Sequence, residues 1–230
     1  MTAQLVRRVL AEGVGTAFLV AAVVGSGIAA SRLSPSDTGL QLLENSIATG
    51  AVLVALILAL RPVSASFNPV VTLVERGLGL LGTGDAALLI VAQLLGGAAG
   101  AVLANLMFDL GPVTLATTDR SGGHLLLAEV VATIGLVMIV FGTLRSGRTE
   151  TVAYAVGGYI AAAYWFTSST SFANPAVTLA RTLSDTFAGI APGSVGGYVA
   201  AQLVGGLLAL GLVHLLFPAP ALTPSTQETS

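Results

Sequence analysis

The 230-residue chain contains no cysteine and no lysine, and only two histidines, His124 and His214, far apart in sequence. Without thiols there are no disulfides and no thiolate metal sites. Two distant histidines make no multi-histidine metal centre. Nothing resembles a nucleophile–base pair, so an enzyme is not expected, nor a cofactor. Charge is also scarce: 9% of residues are Asp, Glu, Lys or Arg, against about a quarter in soluble domains. The net charge of −2 comes with no basic patch, which leaves nucleic acid no electrostatic footprint. A chain that is 54% hydrophobic cannot cover a surface in water, and its solvent is a lipid bilayer.

What is present is a series of long apolar runs. Six long ones can be read off as spans, roughly Val6–Ala30, Leu40–Leu60, Asp85–Phe108, Leu125–Leu144, Thr151–Phe166 and Ser194–Phe217, where a full crossing takes about 20 residues. Arg7 and Arg8 ahead of the first run mimic a signal peptide. That run, however, is longer than a signal sequence needs, carries Glu12 and is followed by further spans. Two more apolar segments, Phe67–Leu78 and Phe172–Leu183, are too short to cross and read as re-entrant or buried pieces. A channel-like domain over 1–217 is expected, followed by a Pro/Ser/Thr-rich tail, Pro218–Ser230, that reads as a disordered cytoplasmic segment.

An internal repeat decides how the short segments are used. Ala11-Glu12, then Ser66-Phe67-Asn68-Pro69-Val70-Val71-Thr72-Leu73, then Gln93-Leu94-Leu95-Gly96-Gly97 recur in the same order in the second half. There they appear as Ala128-Glu129, Phe172-Ala173-Asn174-Pro175-Ala176-Val177-Thr178-Leu179 and Gln202-Leu203-Val204-Gly205-Gly206. The repeats cover about 6–108 and 125–217. Each holds three spans, an odd number, so the halves have opposite topology, and broken helices in inverted repeats mark a transport site at the midplane. The expected fold is an all-α membrane protein: six transmembrane helices plus two re-entrant half-helices in inverted three-helix repeats. With both termini cytoplasmic, Arg7, Arg8, Arg61, Arg76, Arg145 and Arg148 lie inside and Arg32, Arg120 and Arg181 outside, which fits the positive-inside rule.

Asn is a good N-cap and Pro a good first helical residue. Two Asn-Pro pairs, each opening a short apolar helix at the same point of an inverted repeat, aim two positive helix ends at the membrane centre. Each Asn oxygen would cap its helix while the amide N–H groups face the pore as donors to a hydroxylated solute or water. A cation would meet two positive dipole ends and lose its hydration. Gly96–Gly100 and Gly205–Ala209 have the small-residue spacing of close helix crossings. Gln93 and Gln202 are expected to bond between helices, His124 to be solvated and His214 to be satisfied within its helix.

These motifs together resemble the aquaporin/aquaglyceroporin (major intrinsic protein) family from about Val6 to Phe217. The resemblance implies that Asn68, Pro69, Val70, Asn174, Pro175 and Ala176 form the pore motifs. It also implies that Glu12 and Glu129 support the half-helix loops, and that the protein is a homotetramer with one pore per protomer. The departures narrow the reading. The first motif ends in Val70 instead of Ala, and Ser66 stands where a His is usual. The position after Ala176, an Arg in water channels, is Val177; Arg181 lies one turn further on and is not expected to stand in for it. Spacing puts Thr49 where an aromatic is usual, the fifth-span filter residue at Ala162 or Ala163, and the loop residue at Ser171 or Phe172. A wider, less polar constriction follows.

That pattern resembles the bacterial aquaglyceroporin branch associated with arsenic-resistance operons. It implies a channel in a bacterial inner membrane for neutral metalloid hydroxides such as As(OH)3, with polyols and water as further solutes. The alternatives are a water-selective or general polyol channel, a secondary transporter and a closed-pore structural protein. A transporter needs an ionisable group at the midplane. The candidates, Glu12 and Glu129, are both expected at the cytoplasmic ends of their spans.

Overall fold

The computed structural model describes residues 1–217; the expected tail lies outside the described residues. Eight α-helices follow in order: α1 (Ala3–Leu33), α2 (Thr38–Leu60), α3 (Pro69–Gly77), α4 (Thr83–Met107), α5 (Gly123–Arg145), α6 (Val152–Phe166), α7 (Pro175–Ala180) and α8 (Pro192–Leu216). Helix starts are written locally. Thr2 Oγ1 accepts the Leu5 N–H at 3.2 Å and Asp37 Oδ1 that of Leu40 at 2.9 Å, and proline opens α3, α7 and α8. Such caps satisfy amides that have no partner inside the helix. Helix α3 ends where Gly79 takes φ +76°, so that the Gly79 and Leu80 amides return to the carbonyls of Arg76 and Glu75 and the chain turns back.

Five of these helices, α1, α2, α4, α5 and α8, are long and apolar enough to cross a membrane. The sixth, α6, has 15 residues, about 22 Å at 1.5 Å per residue; a 3₁₀ turn at Thr149–Thr151 extends it. Outward-facing leucines, among them Leu10, Leu95, Leu127, Leu207 and Leu215, are exposed, as a lipid-facing surface requires.

Helix α1 packs chiefly on α4 and α5 on α8, with α2 and α6 closing the ring. The first crossing needs glycine: a Cβ on Gly96 would lie 2.1 Å from the Gly13 carbonyl oxygen, and one on Gly100 2.2 Å from that of Ala17. A Cβ on the repeat-related Gly205 would lie 2.8 Å from the Val130 carbonyl oxygen of α5. Between these pairs, α3 and α7 enter the bundle without crossing it, and α7 continues as a 3₁₀ turn at Arg181–Leu183. Their first residues are brought face to face.

Candidate functional site

The two asparagines are tied to each other's half of the chain. Asn68 Oδ1 accepts the Val70 N–H at 2.9 Å, while Asn174 Oδ1 accepts those of Ala176 and Val177 at 2.9 and 3.2 Å. The Asn68 amide donates to the Ala173 carbonyl at 2.8 Å, and the Asn174 amide donates to the Phe67 carbonyl at 2.7 Å. An Asn amide has two N–H donors. One of each pair is therefore spent on the opposite loop, and one per asparagine remains without a partner among the described residues. This corrects the expectation that the whole amide faces the solute. The acceptors, Phe67 and Ala173, both sit at left-handed φ, 47° and 46°, a conformation that costs a non-glycine residue free energy and is kept by its surroundings.

Those surroundings are two buried carboxylates. Glu12 accepts from Ser64 Oγ (2.6 Å), the Ser66 and Phe67 amides (2.8 and 2.7 Å) and the Gln93 side chain (2.7 Å). Glu129 accepts from the Phe172 and Ala173 amides (2.9 and 2.8 Å) and the Gln202 side chain (2.6 Å). Gln93 and Gln202 also donate to Thr72 and Thr178, at 2.9 and 2.8 Å. The glutamines expected to bond between helices thus complete two matching cradles. Charge-assisted bonds of this kind are the strong ones. The carboxylates serve different half-helices, which approach from opposite sides, so the expectation that both lie at cytoplasmic ends is wrong. The inverted repeat itself forces them apart.

A cavity of about 410 Å³ runs past both asparagines. Val152, Val156, Ile160 and Tyr164 line it as a stripe of every fourth residue on α6, while Leu136, Val140 and Leu144 do the same on α5 and Thr49, Leu53 and Ile57 on α2. Asn68, Asn174, Ser64, Ser66 and Ser171 supply the polar side. The conduit is therefore mainly apolar along α2, α5 and α6, with the Thr49 and Tyr164 hydroxyls as exceptions, and carries further polar groups along its loops.

Of the expected filter residues, Thr49, Ser171, Phe172 and Val177 line this cavity. Ala162 is exposed on the outside of α6, and Ala163 is buried without reaching the conduit. On α6 it is Tyr164 that lines the cavity at this level, its hydroxyl 3.1 Å from Thr49 Oγ1. Each residue turns a helix by about 100°, so an offset of two exchanges the conduit for the lipid. The stripe from Val152 to Tyr164 carries no contrast in the sequence, because α6 is apolar on nearly every face.

Two charged residues at the mouths were missed or discounted. Each half-helix faces the conduit with residues i, i+3 and i+7: Asn68, Val71 and Glu75 on one, Asn174, Val177 and Arg181 on the other. Arg181 does not occupy the place of Val177, but it is buried and faces the same cavity. Its Nε donates to the Ala188 carbonyl, and its guanidinium carbon stands 3.4 Å from the centre of the Phe172 ring. Glu75 accepts from Ser66 Oγ at 3.0 Å, and its second oxygen is buried with no partner among the described residues. Repeat-related positions thus carry opposite charges at opposite ends. Val70, by contrast, does not line the conduit; it is fully buried, and a Cβ on Gly206 of α8 would lie 2.4 Å from its Cγ1. The departure at the end of the first motif is a packing exchange with α8. Outside the conduit, His124 is exposed, and His214 Nδ1 lies 2.9 Å from the Leu210 carbonyl.

Two half-helices capped by cross-bonded asparagines, inside an inverted six-span bundle, define a membrane channel of the major intrinsic protein type. The family description "Major intrinsic protein" matches residues 1–161, and the chain belongs to that family. It is 50% identical over 229 residues to the aquaglyceroporin AqpS of Rhizobium meliloti (strain 1021), covering 98% of this chain and 97% of the relative. It is 30% identical over 163 residues to aquaporin-5 of Ovis aries, covering 66% of this chain and 57% of that one. The fold matches the crystal structure of the aquaglyceroporin from Plasmodium falciparum with a TM-score of 0.72 at 16% identity, over 92% and 96% of the two chains. At that identity the likeness speaks for the fold.

Proposed function

We propose that the protein is a passive channel for small neutral hydroxylated solutes, metalloid hydroxides such as As(OH)3 among them, with glycerol and water as further permeants. The observation that carries this is the pairing of one free amide donor on each asparagine with apolar α5 and α6 stripes and an uncharged Val177. A solute with several hydroxyls bonds along the polar side while its other face lies on hydrocarbon. The kinship with aquaglyceroporin AqpS supports this class. As(OH)3, with three hydroxyls and no charge, offers the two positive helix ends acceptor oxygens and avoids the desolvation that stops an ion. Glu12 and Glu129 are engaged by three or four donors each, which favours a support role over the proton coupling of a transporter. We place both termini in the cytoplasm of a bacterial inner membrane and the protomer in a homotetramer, with Glu75 at the inner mouth and Arg181 at the outer.

Val177→Arg tests this reading. It would set a second arginine one helical turn from Arg181, with the Cβ atoms about 5–6 Å apart, and fill the conduit that Thr49 and Tyr164 also line. Glycerol and arsenite flux into vesicles should fall by much more than water flux, and Thr49→Phe should deepen the loss. An unchanged solute-to-water ratio in correctly inserted protein would show that Val177 does not limit the passage.

A further inference from the structure

Beyond the outer face of the filter lies a second cavity of about 310 Å³, and its charged lining is of one sign. Arg181 faces both this cavity and the conduit, and Arg120 joins it from the loop between α4 and α5. The two arginines are held alike. Their Nε atoms donate to adjacent backbone carbonyls, Arg181 to Ala188 and Arg120 to Gly189 at 3.0 Å. Both guanidiniums stand over the Phe172 ring, 3.4 and 5.2 Å from its centre. Anchored through Nε and the ring, neither guanidinium forms an ion pair with a carboxylate among the described residues. Arg181 is only 3% exposed, so its charge is withdrawn from bulk water as well. Across the cavity, Thr38 and Gly39 begin α2, whose first amides carry the positive end of a 23-residue helix.

The nearby carboxylates are committed elsewhere. Glu129 is saturated by the Phe172 and Ala173 amides and Gln202. Asp119 is held by Ser121 and Ser194, and Asp37 caps α2 through Leu40. Two like charges brought to one ring, one of them buried, repel each other; Glu129, whose oxygens are taken by neutral donors, offsets them only from a distance, and neither arginine has a carboxylate in direct contact among the described residues. Planar, forked guanidiniums match the geometry of an oxyanion.

We propose that this vestibule is a binding site for a small oxyanion, a carboxylate or a phosphate-sized group, held between Arg120 and Arg181 and facing the first turn of α2. An anion bound there cannot follow a neutral solute inward, because the apolar α5 and α6 stripes and Val177 would strip its hydration without replacing it. It sits at the mouth as a plug. External oxyanion therefore acts as a reversible brake on the passage of neutral solutes. This rests on the channel reading above, and its test separates the two.

Inorganic phosphate is titrated calorimetrically into the protein in lipid nanodiscs at constant ionic strength, alongside Arg120→Gln, Arg181→Gln and Arg148→Gln. Arg148 is exposed and lines neither cavity. The parent should show one saturable site. Each vestibule variant should weaken it about tenfold, the loss expected of a charge-assisted bond, and Arg148→Gln should not weaken it. Arg120 lies outside the membrane helices, so Arg120→Gln decides the outcome should Arg181→Gln fail to insert. In vesicles, the ratio of glycerol flux with and without external phosphate should fall along the same binding curve. Formate in place of phosphate distinguishes a carboxylate from a phosphate preference. Absence of saturable binding, equal weakening by Arg148→Gln, or phosphate that binds and leaves glycerol flux untouched overturns the proposal. A parent that passes no glycerol in any medium sinks the channel reading, while the calorimetric titration still tests the site.

Discussion

The contact between Val70 and Gly206 allows a test in which two harmful substitutions partly repair each other. Val70 stands where the second repeat has Ala176, it is 1% exposed, and its Cγ1 occupies the space a Cβ on Gly206 would need, 2.4 Å away. At the repeat-related Gly97, a Cβ would find the Ala176 carbonyl and the Ala180 Cβ at 3.2 and 3.3 Å, and the branched Val20 only at an ordinary 3.6 Å. Gly206→Ala should therefore overpack the α3–α8 contact, at about 1–3 kcal/mol. Val70→Ala removes two buried methyl groups and leaves a void, at about 1–3 kcal/mol by the cost of each lost methylene. Together the new methyl fills part of the vacated space. The double variant should be more stable than the sum by about 1–2 kcal/mol, within the range of direct-contact couplings. Reversible unfolding in mixed micelles measures the three values, and glycerol and water flux are read on the same preparations. Because Val70 does not line the conduit, Val70→Ala should keep the parent's solute-to-water ratio. Additive losses, to within about 0.3–0.5 kcal/mol, would refute the packing account; an altered flux ratio would return Val70 to the filter.

The buried network supports three further expectations. Asn174→Leu removes the cap on two amides, one bond to the Phe67 carbonyl and one pore donor together. Cap loss alone costs about 1 kcal/mol, and glycerol flux per inserted protein should collapse, whereas parent-like flux would show that the donor is not used. Glu129→Gln leaves at least one of the Phe172 and Ala173 amides facing an N–H in place of an oxygen. An orphaned buried amide costs about 1–3 kcal/mol. Glu12→Gln should be lowered comparably in the same unfolding assay, since the second cradle has the same form; a large disparity would mean that the two are not equivalent supports. Asp119 lies in the loop outside the membrane, and hydrogen bonds from Ser121 and then Ser194 hold its carboxyl below the usual value. Its contribution to anchoring that loop on α8 is therefore present at neutral pH and is lost only as pH falls below the ordinary carboxylate value of about 3.9. Amide-exchange protection of residues 109–122 should be flat around neutrality and drop only in strong acid. Loss of protection near neutrality would assign the anchoring to another group.

The features legible in the sequence are those governed by local chemistry. Span length follows from apolar run length, and the repeat gives inverted topology by counting spans. Asn68-Pro69 and Asn174-Pro175 announce helix starts, because a cap and a proline act within three residues. What only the tertiary structure decided depends on helix rotation and on partners remote in the chain. The phase of α6 sends Tyr164, rather than Ala162 or Ala163, to meet Thr49, because packing against α2 and α5 fixes which face turns inward. The i+7 register of the half-helices brings Glu75 and Arg181 to opposite mouths, although motif spacing ends the filter at Val177. Each asparagine gives one donor to the loop of the other half, and Val70 is admitted by Gly206 on a helix from the other repeat. Such pairings leave no mark in neighbouring residues, since their free energy arises only once the two halves have closed on each other.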